Sequence, residues 1–146
     1  MSHLPRFLAY AAAFEQTFAD DDWRRLEPFF TDDAVYAVTG LPAACELRGR
    51  EHILRGMRKS LDGFDRKMTR REIAPTAPPS EDGDRVTLIG LVRYQRGESP
   101  PIELDATIVA TFDGDRISHM RDTFTLDAAA IAWFGHHAAD LDGSYT

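Results

Sequence analysis

The chain has 146 residues, 43% of them hydrophobic and 28% charged, enough to bury a core and too apolar for a disordered chain. Its 17 basic and 24 acidic side chains leave a formal net charge of −7, and the densest basic stretch, "RKMTRRE", is short. Binding to nucleic acid by counterion release needs many clustered cations, so no nucleic-acid partner is expected. A single cysteine, Cys45, excludes an intramolecular disulfide and a thiolate metal site of its own.

"MSHLPRFLAYAAAF" lacks the uninterrupted apolar core of a signal peptide, and no apolar run reaches membrane-spanning length. The expectation is one cytoplasmic domain over residues 1–146, with no membrane partner.

Over residues 4–19, Phe7, Ala11, Phe14 and Phe18 recur at spacings of four, three and four, one stripe of an amphipathic helix with Tyr10 beside it. "ADDDW" interrupts it, and Asp21 or Asp22 can cap a second, short helix that carries Trp23, Leu26 and Phe30 and is limited by Pro28. "TDDAVYAV" predicts a strand with Ala34, Tyr36 and Val38 on one face, and "GLPAACELRG" predicts a loop. "REHILRGMRKSL" predicts a third helix with Ile53, Met57 and Leu61 in line. Gly56 sits inside it at a cost of about 1 kcal/mol relative to Ala unless close packing requires it.

Beyond Lys67 the period becomes that of strands: "RKMTRREIAP", "RVTLIGLVRYQ", "IELDATIVATF" and a last strand within "DGDRISHMRDTF". "APPSEDGD" reads as a loop and turn, and the two "DGDR" segments as hairpin turns rather than a repeat, because Asp-Gly tolerates the positive φ such turns need. "LDAAAIAWFGHH" predicts a closing helix capped by Asp127 that packs Ile131 and Phe134. Helices first and a strand meander second give an α+β fold: helices on one face of a curved antiparallel or mixed sheet, with a concave apolar space between them.

The last strand carries the clearest candidate. Alternation sets Ser118, Met120, Asp122 and Phe124 on one face and Ile117, His119, Arg121 and Thr123 on the other. A carboxylate between two large apolar side chains is either bonded to a neighbouring Arg or at the strand end in water, or it is a placed acid/base whose pKa desolvation raises toward neutrality. Its expected partners are Tyr36, Tyr94, Arg70 and Arg71; Arg71, sharing a face with Thr69 and Ile73, is the one expected to point inward. Tyr36 or an inward Arg is the expected companion in catalysis, steadying charge on a substrate oxygen. Tyr10, Phe14, Phe30, Met57, Arg71, Tyr94, Met120 and Phe124 are the expected substrate contacts. The five histidines form no compact ligand set, so neither a metal nor a cofactor is expected.

The segments "AAFEQTFADDDWRRLEPFFTDDAVY", "LRGREHILRGM" and "DGDRISHMRD" together resemble the nuclear transport factor 2-like superfamily, nearest its SnoaL-like branch, over about residues 9–125. The resemblance implies a cone-shaped sheet wrapped around N-terminal helices, a deep pocket for a small apolar, polyketide- or steroid-like ligand, and a homodimer. The fold hosts isomerases, cyclases, dehydratases, epoxide hydrolases and binding proteins, so it does not choose an activity.

Aligned at "FTDDAV", the catalytic aspartate of ketosteroid isomerases falls on Val38, while Tyr10 is similar to their oxyanion-hole tyrosine. The final-strand pattern of limonene epoxide hydrolases is matched by Arg121, Asp122, Thr123 and Phe124, but "RVTLIGLVRYQ" lacks the second aspartate they need. Asp122 is compatible with the acid/base of SnoaL-like cyclases. Two expectations remain open: a cofactor-free isomerase, cyclase or dehydratase working by proton transfer, or a non-catalytic ligand-binding or accessory dimeric domain.

Overall fold

The computed structural model describes residues 2–41 and 44–146. Helix α1 (Leu4–Asp20) begins with Pro5 in its first turn, where the missing N–H costs nothing, and buries Phe7, Tyr10, Ala13 and Thr17. Tyr10 therefore lies at the centre of the buried stripe, while Phe14 and Phe18 border it. Asp21, expected as a possible cap of the next helix, instead ends α1: at φ 62° its N–H bonds to the Thr17 carbonyl at 2.8 Å. A 3-10 helix (Trp23–Phe29) follows and buries Leu26 and Phe29.

Strand β1 (Phe30–Thr39) then pairs antiparallel with β2 (Cys45–Arg48), through Val35–Arg48 to Val38–Cys45. The "CELR" part of the expected loop is thus a strand. Four residues are too few to show a period, and pairing with β1 is what fixes them. Pro42 and Ala43, in the same stretch, lie outside the described residues.

Helix α2 (Arg50–Gly63) buries Ile53, Leu54, Met57 and Leu61. After a 3-10 turn (Asp65–Lys67) the meander runs β3 (Arg70–Pro75), β4 (Ser80–Asp82), β5 (Arg85–Gln95), β6 (Ile102–Asp113) and β7 (Arg116–Thr125), and α3 (Ala128–His137) follows. β4, three residues within the expected loop, pairs with β5. The seven-stranded sheet has the order β2-β1-β7-β6-β5-β3; β1 and β7 are parallel and the other pairs antiparallel. The architecture is the α+β cone: a mixed, open, curved sheet with helices on its inner face. Both Asp-Gly turns hold their glycine at positive φ, 61° at Gly83 and 64° at Gly114.

A bulge in β7 decides what the last strand presents. Thr111 pairs with His119, but Phe112 pairs with Ile117, so Ser118 is an extra residue and its hydroxyl bonds to the Thr111 carbonyl at 3.2 Å. The bulge resets the alternation: Ile117 and Met120 are both buried, against the expectation that Ile117 faces outward with His119. Beyond the bulge the expected parity of Met120, Asp122 and Phe124 holds.

The apolar interior has two parts. One gathers Phe7, Tyr10, Leu26, Phe30, Leu47, Ile53, Met57 and Met120; the other gathers Phe64, Val92, Tyr94, Leu104 and Trp133. In α3 the buried residues are Ala130 and Trp133, whereas Ile131 is 61% exposed, contrary to the expected packing of Ile131. Trp133 meets Phe64 edge-on at 6.1 Å, and that contact sets the rotation of this weakly amphipathic helix.

Candidate functional site

Between the two parts of the interior lies a cavity of about 670 Å³. It draws Tyr10 and Phe14 from α1, Tyr36 from β1, Met57 and Ser60 from α2, Val92 and Tyr94 from β5, Leu104 and Ala106 from β6, and Met120, Asp122 and Phe124 from β7. Its walls are mostly apolar, with polar groups around Asp122, around Arg71 and Asp65, and where Ser60 meets residues 142–144, the usual composition of a small-molecule site. Ile73 and Ile131 line it while 49% and 61% exposed, so they mark its rim.

The first polar place is Asp122. β1 and β7 run parallel with Tyr36 beside Met120 and Val38 beside Asp122, so the long Tyr36 side chain reaches diagonally to the next inward position. Its hydroxyl donates to Asp122 Oδ2 at 2.5 Å. Asp122 Oδ1 is shut off from solvent and has no hydrogen-bond partner among the described residues. Burial pushes the Asp122 carboxyl up to about 6, against the opposing pull of the Tyr36 bond. A carboxyl ionising there is chiefly anionic at pH 7 yet takes a proton far more readily than one ionising near 4.

Three phenols surround this group. Burial, followed by the Asp122 charge, raises the ionisation of Tyr10, Tyr36 and Tyr145 above the ordinary tyrosine range, so each keeps its proton. A phenol has one proton to donate, and Tyr36 gives it to Asp122. The role expected of Tyr36, donation to a substrate oxygen, is therefore taken up by its bond to the carboxylate. Tyr10 makes no hydrogen bond among the described residues and is fixed by aromatic contacts instead, edge-on to Phe30 at 5.4 Å and to Phe29 at 5.8 Å.

The second polar place is an ion-pair cluster. Arg71 points inward as its strand parity predicts, but its partners are Asp65 (Nε to Oδ2, 2.7 Å) and Glu15 (2.9 Å), not Asp122. Tyr94 also donates to Asp65, at 3.3 Å. Burial pushes the Asp65 carboxyl up while Arg71 and Tyr94 pull it down. Arg71 remains cationic throughout, its guanidinium stacked 4.6 Å over the Phe18 ring. With two carboxylates already on it, Arg71 is a structural tie between α1, the Asp65–Lys67 turn and β3.

Of the residues expected at the site, Tyr10, Phe14, Tyr36, Met57, Arg71, Tyr94, Met120, Asp122 and Phe124 all line the cavity. Phe30 does not: as the first residue of β1 it is fully buried behind Tyr10. Arg70 is exposed and pairs with Glu72 at 3.4 Å. Asp65, Ser60 and Tyr145 are cavity residues that the sequence reading did not single out. No group of three or more His, Cys, Asp or Glu able to hold a metal occurs among the described residues. No helix among them is long and apolar enough to cross a membrane.

A model of the SnoaL-like domain matches residues 10–120 of the chain. No curated protein matches it significantly. Among solved structures, an NTF2-like protein from Burkholderia xenovorans is 20% identical, with a TM-score of 0.62 over 91% of this chain and 97% of that one. A protein of ketosteroid isomerase-like fold from Catenulispora acidiphila, in complex with trimethylamine, is 20% identical, with a TM-score of 0.62 over 86% and 92%. TerC, co-crystallised with polyporic acid, is 17% identical, with a TM-score of 0.62 over 88% and 96%. At these identities the likeness is one of fold.

Proposed function

The chain belongs to the SnoaL-like family, and from that premise we propose that it binds a small, largely apolar organic molecule in the cavity and moves a proton on it without a cofactor. The observation that carries the reading is Asp122, a carboxylate on the wall of an apolar cavity with one oxygen, Oδ1, unpaired among the described residues, and pushed up by burial to about 6. Native proteins rarely leave such an atom unpaired unless a ligand or water completes it. Two neighbours of the same fold were crystallised with small organic molecules, which supports a similar use of this cavity.

In the reaction we favour, the Asp122 carboxylate takes a proton from a carbon next to a carbonyl. The C–H electrons become an enolate, and the developing oxyanion accepts a hydrogen bond from the Tyr10 hydroxyl. The carboxyl, now neutral, returns its proton to another carbon, which gives an isomerisation, or to the oxygen of a ring-closed product, which gives a cyclisation. Tyr36 holds the carboxylate in position through Oδ2.

A second reading, ligand binding without catalysis, is favoured by one feature. The position beside Asp122 on the adjacent strand is Val38, and the other buried carboxyl of the cavity, Asp65, is held by Arg71. The two readings separate on 2-tetralone, an apolar bicyclic ketone, incubated with the protein in deuterated buffer. Proton transfer predicts deuterium at its α-carbon, by mass spectrometry, with a rate about a hundredfold lower in Asp122→Asn, the usual worth of a positioned base. Binding of 2-tetralone with no exchange above buffer would establish the binding-only reading.

A further inference from the structure

Five consecutive residues, Leu141, Asp142, Gly143, Ser144 and Tyr145, line the cavity, so the segment after α3 forms part of its wall. This stretch lies along α2. The Asp142 N–H donates to the Gly63 carbonyl at 3.0 Å, the Ser60 hydroxyl to the Gly143 carbonyl at 2.7 Å, and Lys59 Nζ to the Ser144 hydroxyl at 3.0 Å and to the Thr146 carbonyl. Gly56, Ser60 and Gly63 recur at spacings of four and three, so they share one face of α2. The fit there is of backbone against backbone: a Cβ added at Gly63 would stand 1.9 Å from the Asp142 carbonyl oxygen, and one at Gly56 2.7 Å from that of Tyr145. The glycine that looked costly inside α2 is where the segment seats.

Seated this way, the segment sends the Tyr145 side chain into the cavity, its ring edge-on to Tyr36 at 5.7 Å. The Tyr145 hydroxyl lies beside those of Ser60 and Tyr36, whose own protons go to the Gly143 carbonyl and to Asp122, so it stands among the polar groups that line the cavity. The segment is held on α2 by a few hydrogen bonds, those from Lys59 being exposed, and by the Tyr145 ring on the core, so it opens locally at less cost than the sheet strands do.

We propose that residues 141–146 are a strap that opens to admit ligand and, when closed, presents the Tyr145 hydroxyl to an oxygen of that ligand. The ligands selected are apolar ring compounds bearing a hydroxyl or carbonyl. The ligand part rests on the function proposed above; the strap part does not.

The test uses the whole chain, 2-naphthol and naphthalene as probes, and two variants. Tyr145→Phe removes only the hydroxyl. It should leave naphthalene affinity and amide exchange of residues 141–146 unchanged while reducing the preference for 2-naphthol over naphthalene by about tenfold, the worth of one hydrogen bond in a desolvated site. Gly63 does not itself line the cavity, and Gly63→Ala unseats the strap: exchange at the Asp142 amide should accelerate about tenfold or more, and both probes should dissociate faster. If Gly63→Ala folds poorly, Ser60→Ala, which adds no atoms, should show the same changes to a smaller degree.

An unchanged 2-naphthol preference in Tyr145→Phe overturns the contact. Equal exchange at Asp142 in the wild type and both α2 variants overturns the strap. If the wild type takes neither probe, the function reading and the Tyr145 contact fail together, and the exchange measurement still decides the strap.

Discussion

Replacing Asp122 with Asn should stabilise the protein above neutrality and do so in a pH-dependent way. The folded-state carboxyl ionises near 6, against 3.8 for the free group. Its folded pKa is raised, so between about pH 4 and 6 the folded protein holds a proton that the unfolded chain has already released, and stability falls as pH rises through that window. Above it the loss levels off at about 3 kcal/mol, two pKa units at about 1.4 kcal/mol each. Asn has the same shape, accepts the Tyr36 hydroxyl through its carbonyl oxygen, and has nothing to ionise.

The stability difference between Asp122→Asn and wild type should therefore grow by about 2.5 kcal/mol from pH 4 to pH 7.5, whatever its value at pH 4. In a domain of this size that corresponds to roughly 5–10 °C in Tm. Urea unfolding followed by circular dichroism at both pH values measures it, and other titrating groups cancel between the two proteins. A difference that changes by less than about 0.5 kcal/mol, within the ordinary range for surface substitutions, would mean that Asp122 is solvated as a surface carboxylate is.

Tyr36→Phe removes the one bond that lowers the Asp122 pKa, so the carboxyl should titrate higher than in wild type, seen in the carboxyl infrared band. Arg71→Ala should cost about 3–5 kcal/mol in urea unfolding, because it leaves Asp65 buried without its cation. The outer sheet face carries Ile89, 43% exposed, with Leu91 and Val109 near it, and the homodimer we expect forms there. Ile89→Asp should convert a dimer to a monomer in size-exclusion chromatography with light scattering, and a monomeric wild type at micromolar concentration would count against that interface.

Asp122 was legible in the sequence because Met120 and Phe124 flank it at two-residue spacing, a pattern that survives any register. Ile117 was not, because a bulge at Ser118 is invisible to alternation and reverses the parity of everything before it. Arg71 was placed on the correct face by its neighbours Thr69 and Ile73. Its partners Asp65 and Glu15 were not found, since one lies in a 3-10 turn and the other on a helix 56 residues away. Strand β2 and the rotation of α3 depended on contacts with Tyr36's strand and with Phe64, which local propensity does not encode. Tyr145 carried no signal of its own in "DGSYT". The available clue lay elsewhere, in the small residues Gly56, Ser60 and Gly63 along one face of α2.

Asp122, on this account, is a desolvated, proton-exchanging group on the wall of a ligand cavity. The most direct measurement is the ¹³Cγ chemical shift of Asp122, assigned with Asp122→Asn and followed from pH 4 to 9 with and without 2-tetralone. The structure predicts a midpoint near 6 that moves when the ketone is added. A midpoint near 4 that the ketone leaves unmoved would contradict it.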